Sequence, residues 1–237
     1  MVFVTYDRIT ADDPSYKKTF LLHVQQAPTV TGDGFAVVTN TIRENSGNLV
    51  VQSCITDMDY TVIGGEGNEF MVNGVNVPNE DVILQEDHID EVGWGRIEIS
   101  PAAESKTDHM LTAMYVTDAK NTAPLEKAAE IHTDKLVGAV LFNRAALFFK
   151  ETGRLAESTS FTSTGKGEID YYIAGVAAGE WSVSVNGKQL KNVTVSEESG
   201  LLRFTAEAGE VSICPINKNA VQWMNDRSCT SGSTVSN

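Results

Sequence analysis

Strict alternation of apolar and polar residues constrains this chain more than any other feature. In Trp181-Ser-Val-Ser-Val185 the apolar Trp181, Val183 and Val185 fall on one face and Ser182 and Ser184 on the other. A two-residue period fits a half-buried antiparallel strand and not a helix. The run leads into Asn186-Gly187, a pair that tolerates positive φ and suits a two-residue type I′ hairpin. Val193 to Val195, a Glu197–Gly200 turn, alternating Leu202 and Phe204, a turn at Gly209, then Val211 and Ile213 follow. Four short strands with close turns predict a meander at the C-terminal end.

The same period recurs upstream with longer connections. Val2 to Ile9, Phe20 to Val24, Phe35 to Thr39, Leu49 to Ile55, Tyr60 to Ile63, Gly95 to Ile99, Met110 to Val116, Leu136 to Phe142 and Ala145 to Phe149 all read as strands. Turn-forming pairs separate them, among them Asp13-Pro14, Asn73-Gly74 and the glycine-rich Gly64-Gly-Glu-Gly67. One helical candidate, Pro124 to Ile131, is about two turns long. Many strands without crossover helices predict an all-β fold: an antiparallel two-sheet β-sandwich followed by a small C-terminal β-meander. The Ser/Thr/Gly-rich stretch Ser158–Gly167 reads as the boundary. It gives a sandwich over residues 1–160, a small β-sheet domain over 161–216 and a polar tail over 217–237 in which Trp223 is a candidate tether.

Charge removes several classes of function. Against 18 Lys+Arg stand 32 Asp+Glu, a formal net charge of −14, which repels nucleic acid and an anionic membrane surface alike. No apolar run reaches the ~20 residues that span a bilayer. MVFVTYDRIT meets Asp7 and Arg8 before any apolar stretch of signal-peptide length. Cys54, Cys214 and Cys229 are an odd number at wide spacing, from which neither a disulfide framework nor a zinc site follows.

The usual catalytic signatures are absent from the sequence. His23, His88, His109 and His132 lie far apart, with no His-x-His or His-x₃-His pair. Gly64–Gly67 precedes no helix, so it reads as a turn or bulge and not a phosphate loop. Residues 79–91 carry Glu80, Asp81, Glu86, Asp87, Asp90 and Glu91 without EF-hand spacing, and read as a solvated acidic loop. Trp94, between Gly93 and Gly95 and two residues before Arg96, is either a core tryptophan at a strand entry or an indole that stacks on a sugar beside a carboxylate-pairing Arg.

Two stretches carry more than a pattern. One is Phe3-Val-Thr-Tyr-Asp-Arg-Ile9 with Lys17-Lys-Thr-Phe-Leu-Leu-His23. The other is Gly93-Trp-Gly-Arg-Ile-Glu-Ile-Ser-Pro101 with the Met110–Ala119 strand. Together with Gly64-Gly65 and the Trp181–Ile213 stretch, they resemble the C-terminal β-region of heparinase II/III-like polysaccharide lyases, including the related alginate lyases. The resemblance implies a module that acts on uronic-acid polysaccharides, alginate or a glycosaminoglycan, by β-elimination.

In that family the carboxylate neutraliser and the tyrosine base usually come from an N-terminal (α/α) toroid. A histidine and the ligands of a Zn or Mn ion come from His-x-His and His-Asn segments before the Tyr-Asp-Arg strand. None of these is found here, so no catalytic residue, no metal ligand and no cofactor is assigned. His23 sits on the Leu-Leu-His strand and takes no catalytic role from the resemblance. The expected contacts with an anionic polysaccharide are Tyr6, Arg8, Lys17, His23, Trp94 and Arg96, with Lys18 and Arg43 adding to a local basic patch. A sandwich that lacks its upstream strands exposes a sheet edge. A homodimer, the tail or a separate (α/α) toroid is expected to cover it. Two other readings compete with the lyase module. One is a free-standing carbohydrate-binding module with an aromatic platform drawn from Trp94, Tyr6, Tyr171 and Tyr172; the other is a structural surface sandwich. Family members are usually secreted or periplasmic, and the chain itself assigns no compartment.

Overall fold

The computed structural model describes residues 1–32, 34–42, 45–55, 57–77 and 93–216. The acidic run 79–91 with His88, Arg43, and the 217–237 segment with Trp223 and Cys229 lie outside the described residues. The chain divides into two compact units, Met1–Lys127 and Ala128–Asn237.

Among the described residues the first unit has ten strands: β1 (Val2–Thr10), β2 (Phe20–Val24), β3 (Thr29–Val30), β4 (Phe35–Ile42), β5 (Asn45–Ser53), β6 (Met58–Gly64), β7 (Met71–Val72), β8 (Val75–Asn76), β9 (Gly95–Pro101) and β10 (Thr107–Asp118). They form a five-stranded sheet in the order β1-β10-β5-β4-β3, a three-stranded sheet β2-β9-β6 and the small hairpin β7-β8. The two larger sheets pack through alternate residues. Ala36 and Val38 on β4 and Val51 on β5 meet Val24 on β2 and Ile97 and Ile99 on β9. Phe20, Leu22, Leu49, Met58, Tyr60 and Met114 close the rim of that core. Each fully buried valine or isoleucine removes its apolar surface from water, worth ~1.5–3 kcal/mol apiece. The opposite face of the five-stranded sheet is buried too, at Val50, Leu111, Ala113 and Tyr115. Central strands buried on both faces read as near-continuous apolar runs.

Among its described residues the second unit has nine strands: β11 (Ala129–His132), β12 (Leu136–Leu141), β13 (Arg144–Phe149), β14 (Thr159–Thr162), β15 (Glu168–Ala174), β16 (Gly179–Val185), β17 (Lys188–Val195), β18 (Leu201–Glu207) and β19 (Glu210–Pro215). One sheet runs β11-β12-β13-β15-β18 and the other β14-β19-β16-β17. Every ladder between these strands is antiparallel except β13 with β15, and an isolated parallel bridge joins Leu155 to Val176. Trp181 and Val183 from one sheet and Ile169, Tyr171, Ile173, Leu202 and Phe204 from the other lie in a single core. Tyr171 stacks on Phe204 at 4.6 Å, and its hydroxyl lies 2.6 Å from Ser163 Oγ. The Asn186-Gly187 hairpin adopts the expected turn, with φ of 50° and 76°.

Three sequence expectations change. The C-terminal strands are not a meander: β17 does not pair with β18, which joins β15 in the other sheet, and β19 returns to pair with β16. The cause is packing, since Leu202, Phe204 and Ala206 bury against Tyr171 and its neighbours, and local alternation carries no information on which sheet a strand joins. The expected helix over Pro124–Ile131 is absent. Ala129–His132 pairs with β12 and buries Ile131, a tertiary preference that outweighs a short helical run. The division falls after Lys127 and not in Ser158–Gly167, so β11, β12 and β13 belong with the C-terminal strands. That Ser/Thr/Gly stretch contains β14, the buried Phe161 and the Ser163 hydroxyl bound to Tyr171. Its polar residues serve the core and do not form a linker. Cys54 is buried and outside any disulfide, whereas Cys214 is disulfide-bonded, a pairing that cysteine spacing did not disclose.

Candidate functional site

The six sequence candidates all lie in the first unit; five of them fall into two groups, and Trp94 stands apart. Tyr6 and Arg8 share a face of β1, the terminal strand of the five-stranded sheet. The antiparallel register sets Arg8 directly opposite His109 and Tyr6 opposite Leu111. Tyr6 therefore reaches His109 on the diagonal, within range of an aromatic side chain. The two rings are parallel, with centroids 5.8 Å apart, and Tyr6 Oη lies 2.5 Å from His109 Nδ1. Burial raises the Tyr6 pKa while the nearby Arg8 charge lowers it, and burial wins. The phenol thus stays protonated at neutral pH and can donate to Nδ1. Arg8 is exposed beside this pair. A cation next to a protonated phenol and an imidazole can hold a carboxylate and bond its neighbouring hydroxyls.

The second group lies on the outer face of the β2-β9-β6 sheet. His23 pairs with Arg96 across the β2–β9 ladder. Arg96 Nε donates to Glu98 Oε1 at 2.8 Å, and Arg96 Nη1 donates to the Met71 carbonyl of the β7–β8 hairpin at 2.6 Å. Lys17 Nζ closes the chain of charges on Glu98 Oε2 at 3.1 Å. Burial pushes the Glu98 pKa up, but hydrogen bonds from Arg96 and Lys17, with their charges, hold it below the usual carboxylate value. Two of the expected polysaccharide-binding cations are thus already paired with one carboxylate. Beside them lies a cleft of ≈ 490 Å³ bordered by His23, Gln25, Glu69, Phe70 and Arg96.

A depressed folded-state pKa means that Glu98 contributes stability above its unfolded value and loses that contribution as pH falls through the folded value. Glu98→Gln should therefore cost about 1–2 kcal/mol at neutral pH, and the gap to wild type should close in acid. Melting curves over a pH series check this; a gap that stays constant into the acid range would rule out the network as drawn.

Trp94 is held in place by the backbone. Its N–H donates to the Val24 carbonyl at 2.8 Å, and its own carbonyl accepts from Gly65 N–H at 2.8 Å. The indole lies over Gly64, where an added Cβ would come within 2.6 Å of Cε3, and it packs on the core of the unit. The paired glycines are the seat of the ring. Among the other aromatic candidates, Tyr171 is fully buried and the Arg203 guanidinium sits 5.0 Å over the Tyr172 ring. Lys18 is buried, with its ammonium 3.0 Å from Asp108 Oδ2 and bonded to the Tyr16 and Ser105 carbonyls. It is a structural cation and not part of an open basic patch. Among the described residues, no three His, Cys, Asp or Glu side chains converge so as to hold a metal ion.

Sequence reasoning missed His109 and Glu98. Glu98 was within reach of it, because Arg96 and Glu98 are two apart on a strand and so share a face. His109 was not, because only the β1–β10 register brings it to Arg8 across 101 positions of chain.

Two all-β units, the second with a double-sheet core around Trp181 and Tyr171, define the class of the molecule. Residues 130–215 match the family model of the heparinase II C-terminal domain, so that stretch, β11 to β19 within the second unit, is a heparinase II/III-like C-terminal region. No curated protein matches the chain.

Proposed function

We propose that the chain is a β-sandwich module of a heparinase II/III-like polysaccharide lyase acting on uronic-acid polysaccharides, alginate or a glycosaminoglycan. It gives scaffold and substrate contact and holds no complete catalytic site of its own. The match of residues 130–215 to the heparinase II C-terminal domain carries this reading. The Tyr6–His109–Arg8 group supports the contact role, because it offers a cation and two polar rings on an accessible strand.

β-Elimination needs a neutralised uronate carboxyl, a base for the C5 proton and an acid for the leaving oxygen. Arg8 can meet a carboxylate, and the Tyr6–His109 pair can take part in one proton transfer. The remaining groups are expected from a separate toroid. Among the described strands β1 pairs only with β10, and its other edge, nine residues long, is the place in this reading where a toroid or a second copy would dock. The test is ultraviolet absorbance of the unsaturated uronate while the purified chain stands with alginate, heparan sulfate, hyaluronan or chondroitin sulfate, with and without Mn²⁺ or Zn²⁺. A flat trace on every polymer is expected. A steady rise on any one would mean that a complete site exists in this chain, and the reading would fail.

A further inference from the structure

We propose a second sugar site, independent of the Tyr6–Arg8 group: an amide-rimmed groove at the open end of the first unit's sandwich that takes a neutral pyranose unit. The inner face of the five-stranded sheet presents Val38 opposite Leu49 and Leu49 opposite Val116. Strand β2, only five residues long, stops at Val24, and this row loses its cover beyond that point, leaving Val116 52% exposed. The result is a groove of ≈ 490 Å³ with an apolar floor and an amide rim of Gln25, Asn40 and Asn45. That volume lies within the range of small-molecule sites.

The rim is organised in advance. Asn40 Nδ2 donates to Gln25 Oε1 at 3.0 Å, tying β4 to the segment that leaves β2. Among the described residues, His23 also borders the groove, and no carboxylate, lysine or arginine lines it. Asp118, next to Gly47 in the ladder, turns its carboxylate to the Lys120 N–H at 2.8 Å. In a chain of net charge −14 a described lining made of amides, apolar residues and one histidine favours an uncharged occupant. A side-chain amide has a donor and an acceptor in one plane, which suits adjacent hydroxyls, and valine and leucine suit the C–H face of a sugar ring. A strand-adding peptide is a poor match for the groove floor, because β5 is already paired on both sides, with β4 and with β10.

Gly47 is the second observation. It lies inside β5, where glycine weakens a strand, yet its φ is ordinary and an added Cβ would meet only the Thr117 carbonyl at 3.6 Å. The fold makes no demand for glycine there. The groove does, since Gly47 lies opposite Asn40 on the floor face and any side chain would fill it.

The test is a titration of ¹⁵N-labelled full chain with hexaoses of glucose, mannose and galactose, and with hexauronates as charged controls, followed through the side-chain amide signals of Asn40 and Gln25. At least one neutral hexaose should shift these signals. Gly47→Leu, which has room to fold, should weaken that binding about tenfold or more, and Gln25→Ala with Asn40→Ala should do the same. Melting temperature checks that each variant is folded. Tyr6→Phe should leave neutral-sugar binding unchanged, so failure here is separable from failure of the lyase reading. Silence with every neutral hexaose, a shift undiminished in folded Gly47→Leu, or a response to hexauronates alone would overturn the proposal.

Discussion

Trp181→Ala is expected to destabilise the second unit by about 3–5 kcal/mol, the range for truncating a large aromatic in a tight core. Trp181 is 1% exposed, its Nε1–H donates to the Ala177 carbonyl at 3.0 Å, and it shares a core with residues of both sheets. Alanine leaves a cavity that two cross-braced sheets cannot close, and it strands the Ala177 acceptor. For a unit of this size the melting transition should fall on the order of 20 °C. Tyr172→Ala is the control: its ring lies under Arg203 on the other face of β15, and its loss should cost about 1 kcal/mol. Calorimetry of the two variants decides the matter. Similar small losses would mean that the core around Trp181 is not the one described.

Gly95→Ala is expected to be the most damaging change near the candidate site. A Cβ there would stand 2.2 Å from the Ile63 carbonyl oxygen and 2.4 Å from Gly64 Cα, at a φ of +154°. Both neighbours are backbone of β6, so relief requires the β6–β9 ladder to open. The cost is about 2–4 kcal/mol from overpacking and strain together. The effect is also functional, because Gly95 joins Trp94 to Arg96 and begins the strand that carries Glu98. The loss should appear as earlier melting and as faster amide exchange at Ile97 and Ile99. A variant that melts with wild type would show that β6 and β9 do not approach so closely.

Much of this was legible in one sequence, and the limits have physical causes. A two-residue period reports that a segment is a strand and which face is buried, which is why β2 spans Phe20–Val24 as read and Trp181 and Val183 point inward. It does not report a partner. Leu202, Phe204 and Ala206 alternate cleanly, yet they serve a sheet other than that of the preceding hairpin. Ile169, Tyr171 and Ile173 alternate just as cleanly, but they follow a Ser/Thr/Gly run that looked like a linker, and β15 went unread. At the candidate site, Tyr6 and Arg8 share a face by spacing alone. Their partner His109, the carboxylate that ties up Arg96 and Lys17, and the Asn40–Gln25 bond all depend on register between distant strands.

The central claim is that this module contacts a polyuronate through the Tyr6–Arg8 face. Affinity electrophoresis tests it most directly: wild type and the Tyr6→Phe/Arg8→Ala double variant would run in gels cast with alginate, heparan sulfate, hyaluronan or chondroitin sulfate. Retardation of wild type in at least one polymer, salt-sensitive as a charge contact must be and reduced about tenfold in apparent affinity in the folded double variant, is the expected result. Equal migration of both proteins in every gel would contradict it.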